Sequence, residues 1–216
     1  MTREWIVLGD GGHAGVVIDA LLLLGQSVAG YTSLAGTGRP ILGVECLGDD
    51  DEVKNYGVED VYLANGLGST GSSDNRASLY QRFAARGFVF PHVVHPTAIV
   101  AQSVRIGAGT QVMAGAILQP KCQIGENVII NTRASVDHDC VIETDVHIAP
   151  GATVSGGVVI ERGAHVGVGS SILQCCRIGS NSIVGAGAVV VRDVLSGITV
   201  VGVPAKRIGS TKKVNR

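Results

Sequence analysis

The chain has 216 residues, 45% of them hydrophobic and 4% aromatic, with a formal net charge of −1. That length allows one large or two small domains, and with the charge balanced nothing suggests nucleic acid or an anionic membrane surface as partner. The longest apolar run, Ala20 to Gly25, is too short for a membrane span, and an odd count of five cysteines without a signal peptide points to a reducing cytoplasm.

Residues 5–9 read as a buried strand of a parallel sheet. Gly9-Asp10-Gly11-Gly12-His13-Ala14-Gly15 follows, then an apolar stretch from Val16 to Leu24 that reads as a helix. Strand, glycine turn and helix form the setting of a phosphate-binding fingerprint, with Ala14 where a third glycine would stand. Free N–H groups at a helix start favour a diphosphate, which makes Gly11 and Gly12 candidate ligand positions. A tight turn with no ligand is the alternative. His13 could face that ligand or cap its own loop. The second strand, Ser27 to Tyr31, runs into Thr32-Ser33, with no acidic residue until Glu45. A dinucleotide site would place a carboxylate there for a ribose. Its lack argues against NAD and for a shorter nucleotide, with Tyr31 and Thr32 as candidate contacts. Then come a helix over 49–56, a strand over 60–64, and a second glycine-rich loop at Asn65-Gly66-Leu67-Gly68, where Asn65 and Gly66 are further candidate contacts. A helix over 72–86, capped by Ser73 or Asp74, and a strand Phe88-Val89-Phe90 complete a Rossmann-like α/β unit over 1–92. Pro91 and Pro96 bracket a hinge, with His92 and His95 beside it.

From residue 93 the pattern changes. An aliphatic residue stands at every sixth position from Val94 to Val190, and from Val100 onward a small or β-branched residue stands two before each. Neither the helix period nor the strand period gives six. Such a repeat signals a solenoid, each hexapeptide supplying a short strand and a turn. Many of the 31 glycines suit its frequent corners, and the low aromatic share suits a narrow interior. Cys122, Cys140 and Cys176 fall in the small-residue series and read as buried thiols. No Cys/His cluster has zinc spacing, so no metal is expected in catalysis.

The hexapeptide run resembles the hexapeptide-repeat acyltransferases, whose repeats wind into an all-β left-handed parallel β-helix with three hexapeptides per coil. That winding would stack residues eighteen apart, as in Ile106, Ile124, Ile142, Ile160 and Ile178. The Gly-x-Gly-Gly-His stretch, Asn65-Gly66, His95-Pro96, the solenoid and the tail Val201-Gly202-Val203-Pro204-Ala205-Lys206 narrow the resemblance. Together they are similar to the sugar-nucleotide N-acetyltransferases that acylate 4-amino-4,6-dideoxy sugars, grouped with sialic acid O-acetyltransferases. The resemblance implies cytoplasmic homotrimers that bind acetyl-CoA between neighbouring solenoids. Relatives that use UDP-sugars usually carry acidic residues after the second strand. Tyr31-Thr32-Ser33 departs from that, which brings in a GDP-sugar such as GDP-perosamine.

Acetyl transfer to an amine needs a base, donors for the oxyanion, and exclusion of water. His138 lies two past an aliphatic, near a corner and facing outward, with Asp139 beside it to orient the ring. The resemblance makes these two the general base and its partner. It also places His147 against the acyl-CoA and gives a backbone amide at Gly156, eighteen past His138, to the thioester oxygen. His165, eighteen past His147, should stack on it and could line the same groove. Gly185 and Gly187 with the tail would hold the pantetheine and nucleotide ends of the cofactor. Lys206 and Arg207 would meet phosphates or simply be solvated. Cys140 is expected in the packed interior, so attack should be direct, with no acyl-enzyme. The outer column Ile129, His147, His165, Ile183 is too apolar in part to be solvated and is expected at a subunit boundary of a trimer. The alternatives are sialic acid O-acetylation and, outside enzymes, a trimeric sugar-nucleotide-binding scaffold without catalysis.

Overall fold

A computed structural model describes residues 3–210. Four parallel strands, β1 (Glu4–Leu8), β2 (Val28–Thr32), β3 (Cys46–Gly48) and β4 (Val61–Asn65), form a sheet in the order β3-β2-β1-β4. Ile6, Val7 and Leu8 are wholly buried, as a central strand covered on both faces demands. Helix α1 (Gly12–Leu23) covers one face through Val17, Ile18 and Leu21. Helix α2 (Asp74–Ala84) covers the other through Leu79 and Phe83, beside a 3₁₀ helix at Asp50–Asn55.

Several boundaries differ from expectation. Helix α1 begins at Gly12 and not at Val16, because the glycine turn itself feeds the first helical turn. The segment around Asp50 is 3₁₀, and β3 was not foreseen because three half-buried residues carry no periodic signal. Phe88-Val89-Phe90 is not a full strand: Val89 makes a single parallel bridge to Tyr62 beyond β4. Phe88 and Phe90 spend their side chains on the α2 core.

The solenoid opens with the strand Val93–Val94, and two-residue strands follow every six residues to Val189–Val190. They pair in parallel with partners eighteen residues away, building three sheets. Ile106, Ile124, Ile142, Ile160 and Ile178 form one continuous ladder. The aliphatics and the small residues two before them fill one core that runs the length of the prism. A corner follows each strand, and every sixth residue from Gly109 to Gly187 takes a positive φ. Corners of this kind suit Gly, Asn and Asp, and this chain also places the exposed Lys121, Arg133 and Cys175 there. The last strand of one sheet, Ile198–Val201, turns back into the antiparallel strand Lys206–Ser210.

Candidate functional site

His138 stands where the chain turns between Ser135–Val136 and Val141–Ile142, projecting from a corner of the prism. Its Nδ1 lies 2.8 Å from Oδ2 of Asp139. Asp139 holds φ +57, the left-handed corner conformation that turns its carboxylate back onto the ring. Since a carboxylate only accepts, Nδ1 carries the proton in this pair and Nε2 is left with its lone pair. The hydrogen bond to Asp139, and next the charge of Asp137, raise the His138 pKa above the ordinary histidine value. Asp137 contributes in a second way, its Oδ1 accepting the His138 N–H at 2.8 Å.

The ring lies flat over Gly156, one coil further on. A Cβ at that position would sit 2.7 Å from both Cε1 and Nε2 of His138. Only glycine leaves room for the ring there. The Gly156 N–H has no acceptor among the described residues, whereas that of Gly157 donates to the His138 carbonyl at 2.9 Å. Asp137, His138, Asp139, Ser155, Gly156, Gly157, Gln174 and Cys175 line an open cleft of about 600 Å³. The structure thus gathers an imidazole with one free nitrogen, a carboxylate bonded to its other nitrogen and an unpaired backbone donor. Cys175 is exposed beside them, while Cys140 is buried with Sγ 3.2 Å from the Ser155 carbonyl.

His147 and His165 stand elsewhere. They pair across adjacent strands, their rings edge to face at 5.0 Å. The column Gln111, Ile129, His147, His165, Ile183 is covered by the same chain's N-terminal unit, which corrects the expected subunit boundary. Ile129 is 1% exposed, and the 66–73 loop lies along the column. Ser69 Oγ meets His147 Nδ1 at 2.7 Å, Ser73 reaches the Gly163 carbonyl, and a Cβ on Gly71 would touch Ile183. Thr132 N–H donates to Asn131 Oδ1, which turns Asn131 Nδ2 toward His147 Nε2 at 3.0 Å. Both nitrogens of His147 are therefore engaged inside the chain. Burial, with neighbouring His165 and Arg76 adding, lowers its pKa to about 2; burial, then Arg76, lowers that of His165 to about 4. His165 Nδ1 is buried without a partner.

The glycine turn splits into open and occupied positions. Gly11 and Gly12 are exposed with nothing near their missing side chains, and the first amides of α1 point outward past them. Asn65, by contrast, is buried and fully used: Nδ2 donates to the Arg76 carbonyl and to Asn127 Oδ1, and Oδ1 accepts from Leu67. Gly66 is pressed between Ala14, Leu8 and Val7. Asn65 belongs to the domain junction and Gly66 to the packing inside the α/β unit, and neither lies on an open ligand surface. Tyr31 is likewise buried, its hydroxyl donating to the Arg39 carbonyl at 2.7 Å. Thr32 is buried and donates to Asp50 at 2.6 Å. Neither side chain is available to a substrate. Nor is the end of β2 free of acid, because Asp10 arrives there through Ser33 at 2.6 Å, and Asp50 through Thr32. At the far end of the solenoid Gly185 packs against Val201, Gly187 is open, and Lys206 and Arg207 are exposed.

Sequence reading missed Gln111, Asn127 and Asp145, whose partners lie in the other unit, and Asn131, which holds His147. It also missed Arg76, buried at 1% exposure, whose guanidinium donates to the carbonyls of Asn127 and Asp145. A charged residue on the inner face of α2 was the one available signal.

Fold and cleft together define a left-handed parallel β-helix transferase of the hexapeptide class, with an α/β unit docked on it. The family described as "Bacterial transferase hexapeptide (six repeats)" matches residues 98–136 and 121–156. A perosamine N-acetyltransferase from Caulobacter crescentus, a histidine mutant in complex with CoA and GDP-perosamine, is 36% identical with a TM-score of 0.89, covering 97% of this chain and 99% of that one. The acetyltransferase domain of PglB from Neisseria gonorrhoeae is 35% identical at 0.89, over 96% of this chain and 100% of that one. WeeI from Acinetobacter baumannii is 25% identical at 0.87, over 96% and 100%. No curated protein matches the chain. The chain belongs to the hexapeptide-repeat sugar N-acetyltransferases, enzymes with acetyl-CoA as co-substrate. Membership sets aside the non-catalytic scaffold. Among the described residues no helix is long and apolar enough to cross a membrane.

Proposed function

We propose that the chain transfers the acetyl group of acetyl-CoA to the 4-amino group of a nucleotide-linked 4-amino-4,6-dideoxy sugar, with GDP-perosamine the first candidate. What carries the reading is the His138–Asp139 pair seated over the unpaired amide of Gly156. The neutral amine attacks the thioester carbonyl, and a C–N bond forms while Nε2 of His138 takes the nitrogen's proton. Asp139 steadies the imidazolium, and the Gly156 N–H meets the oxyanion. Collapse breaks the C–S bond, and the thiolate of CoA leaves with a proton returned by His138. The sugar nucleotide lies with its diphosphate at Gly11, Gly12 and the start of α1, where free amides and the helix dipole favour anions. The N-acetyl relatives favour an amine over the hydroxyl of a sialic acid. The chain works as a homotrimer, acetyl-CoA lying between solenoids along His138, Gly156, Gly187 and Lys206. Leu173 and Val191, each 41% exposed near the cleft, are apolar surface that a neighbour would cover.

The test is thiol release from acetyl-CoA with GDP- and UDP-linked 4-amino sugars, on wild type and His138→Ala. The variant should lose about 10²–10⁴-fold in kcat, the size of a general-base term, with little change in either KM. Full kcat in His138→Ala would remove the base from this position. Light scattering at micromolar concentration should give a trimer, and a monomer would refute the shared cofactor groove.

A further inference from the structure

Besides the cleft, the junction between the two units holds a second chain of polar groups whose directions can be assigned from the backbone outward. The Asn65 carbonyl can only accept, and it lies 2.7 Å from Nε2 of Gln111. That fixes which end of the Gln111 amide is the donor, in a side chain only 2% exposed. Its Oε1 therefore faces His13, 2.6 Å from Nε2. An amide oxygen also only accepts, so the proton of the imidazole is on Nε2. Nδ1 is left with its lone pair, makes no hydrogen bond among the described residues, and is not sealed from solvent. The ring follows Gly12 in the first turn of α1, beside the open amides of the glycine turn.

We propose that Gln111 is a positioning residue that holds His13 as the Nε2–H tautomer, so that Nδ1 accepts from a hydroxyl or amine of the bound sugar. This rests on the N-terminal unit being the nucleotide-sugar site. A diphosphate has only acceptors and cannot satisfy Nδ1, so phosphate and sugar are divided between the glycine amides and His13. The groups packed around the ring keep it neutral. Burial comes first in lowering its pKa, the Gln111 bond opposes it, and the positive charge of Arg76 on α2 adds to burial. His147 on the solenoid is itself neutral, and the positive end of α1 also disfavours an imidazolium.

Nitrogen NMR of ring-labelled apoprotein should show His13 with Nδ1 unprotonated, and Gln111→Glu should bring in an imidazolium at neutral pH. Binding then separates the two nitrogens. His13→Gln keeps a donor near Nε2 and loses the acceptor at Nδ1. His13→Asn does the reverse. For GDP-perosamine or a UDP-linked 4-amino sugar, His13→Gln should raise KM about tenfold, the size of one lost hydrogen bond, and His13→Asn distinctly less. The KM for acetyl-CoA should not follow either change. In Gln111→Glu the nucleotide-sugar KM should rise and recover as pH is raised. A protonated Nδ1 in the apoprotein, or the reverse order of the two His13 variants, overturns the proposal. If wild type binds no nucleotide sugar, the ligand assignment falls with the functional reading, while the NMR result still decides the role of Gln111.

Discussion

Gly156→Ala is the sharpest probe of the cleft, because it removes no polar group and displaces one ring. The added methyl would lie 2.7 Å from Cε1 and Nε2 of His138, and ordinary contact begins near 3.4 Å. His138 must retreat by about 0.7 Å, since backbone packed in a coil yields less readily than an exposed side chain. The Gly156 backbone lies outside the left-handed region, so alanine itself is not strained there. The amide N–H that would meet the oxyanion is retained. Displacing a catalytic group by about 1 Å costs on the order of 10²-fold in rate. The expected result is kcat down by roughly 30- to 100-fold, with Tm unchanged and KM for both substrates within about threefold. Adding His138→Ala should cost nothing more than His138→Ala alone, because both changes act through the same ring. Wild-type kcat in Gly156→Ala would refute the placement of the base over this glycine. So would full additivity in the double variant.

Three other outcomes follow from the geometry. Asp139 raises the His138 pKa, so Asp139→Asn should shift the acid limb of kcat/KM to lower pH and drop the plateau by about tenfold; a limb that stays put or moves up would contradict the pairing. Arg76→Met leaves the carbonyls of Asn127 and Asp145 buried without donors and should cost about 3 kcal/mol in urea unfolding, a loss of under 1 kcal/mol arguing against the docked junction. His147 and His165 have folded pKa values of about 2 and about 4, below the unfolded value of 6.5, so the unfolded state takes up protons first and stability falls as pH drops below 6.5. Between pH 7 and 5 each should remove about 2 kcal/mol, and His165→Leu should remove its share of the slope.

The solenoid was legible because its code is local. One aliphatic every six residues, with a small residue two before, dictates what the core can hold, and the structure buries both series from Thr110 onward. The contact of His138 with Asp139 was legible for the same reason. Their bond joins adjacent residues at a corner, and Gly156 lies a whole coil away in a strictly periodic chain. Tyr31, Thr32 and Asn65 were misread because each looks polar and available at the end of a strand. Their side chains are turned inward by partners that arrive from Arg39, Asp50 and Arg76.

The outer column shows where a periodic reading stops. Stacking at eighteen residues identifies Ile129, His147, His165 and Ile183 as one outward-facing row, and their mixed character says that something covers it. It does not say what. A second solenoid and the chain's own N-terminal unit are equally good covers on apolar grounds, because burial of apolar area has no direction. Polar groups do have direction. His147 needs a partner on Nδ1, and Gln111 needs both an acceptor and a donor. The 66–73 loop, Asn65 and His13 supply these within the chain. In a junction so mixed, the hydrogen bonds select which surface docks, and burial of Ile129 and Ile183 stabilises the choice. The docked arrangement holds the start of α1, through His13 and Gln111, against the same solenoid that carries His138.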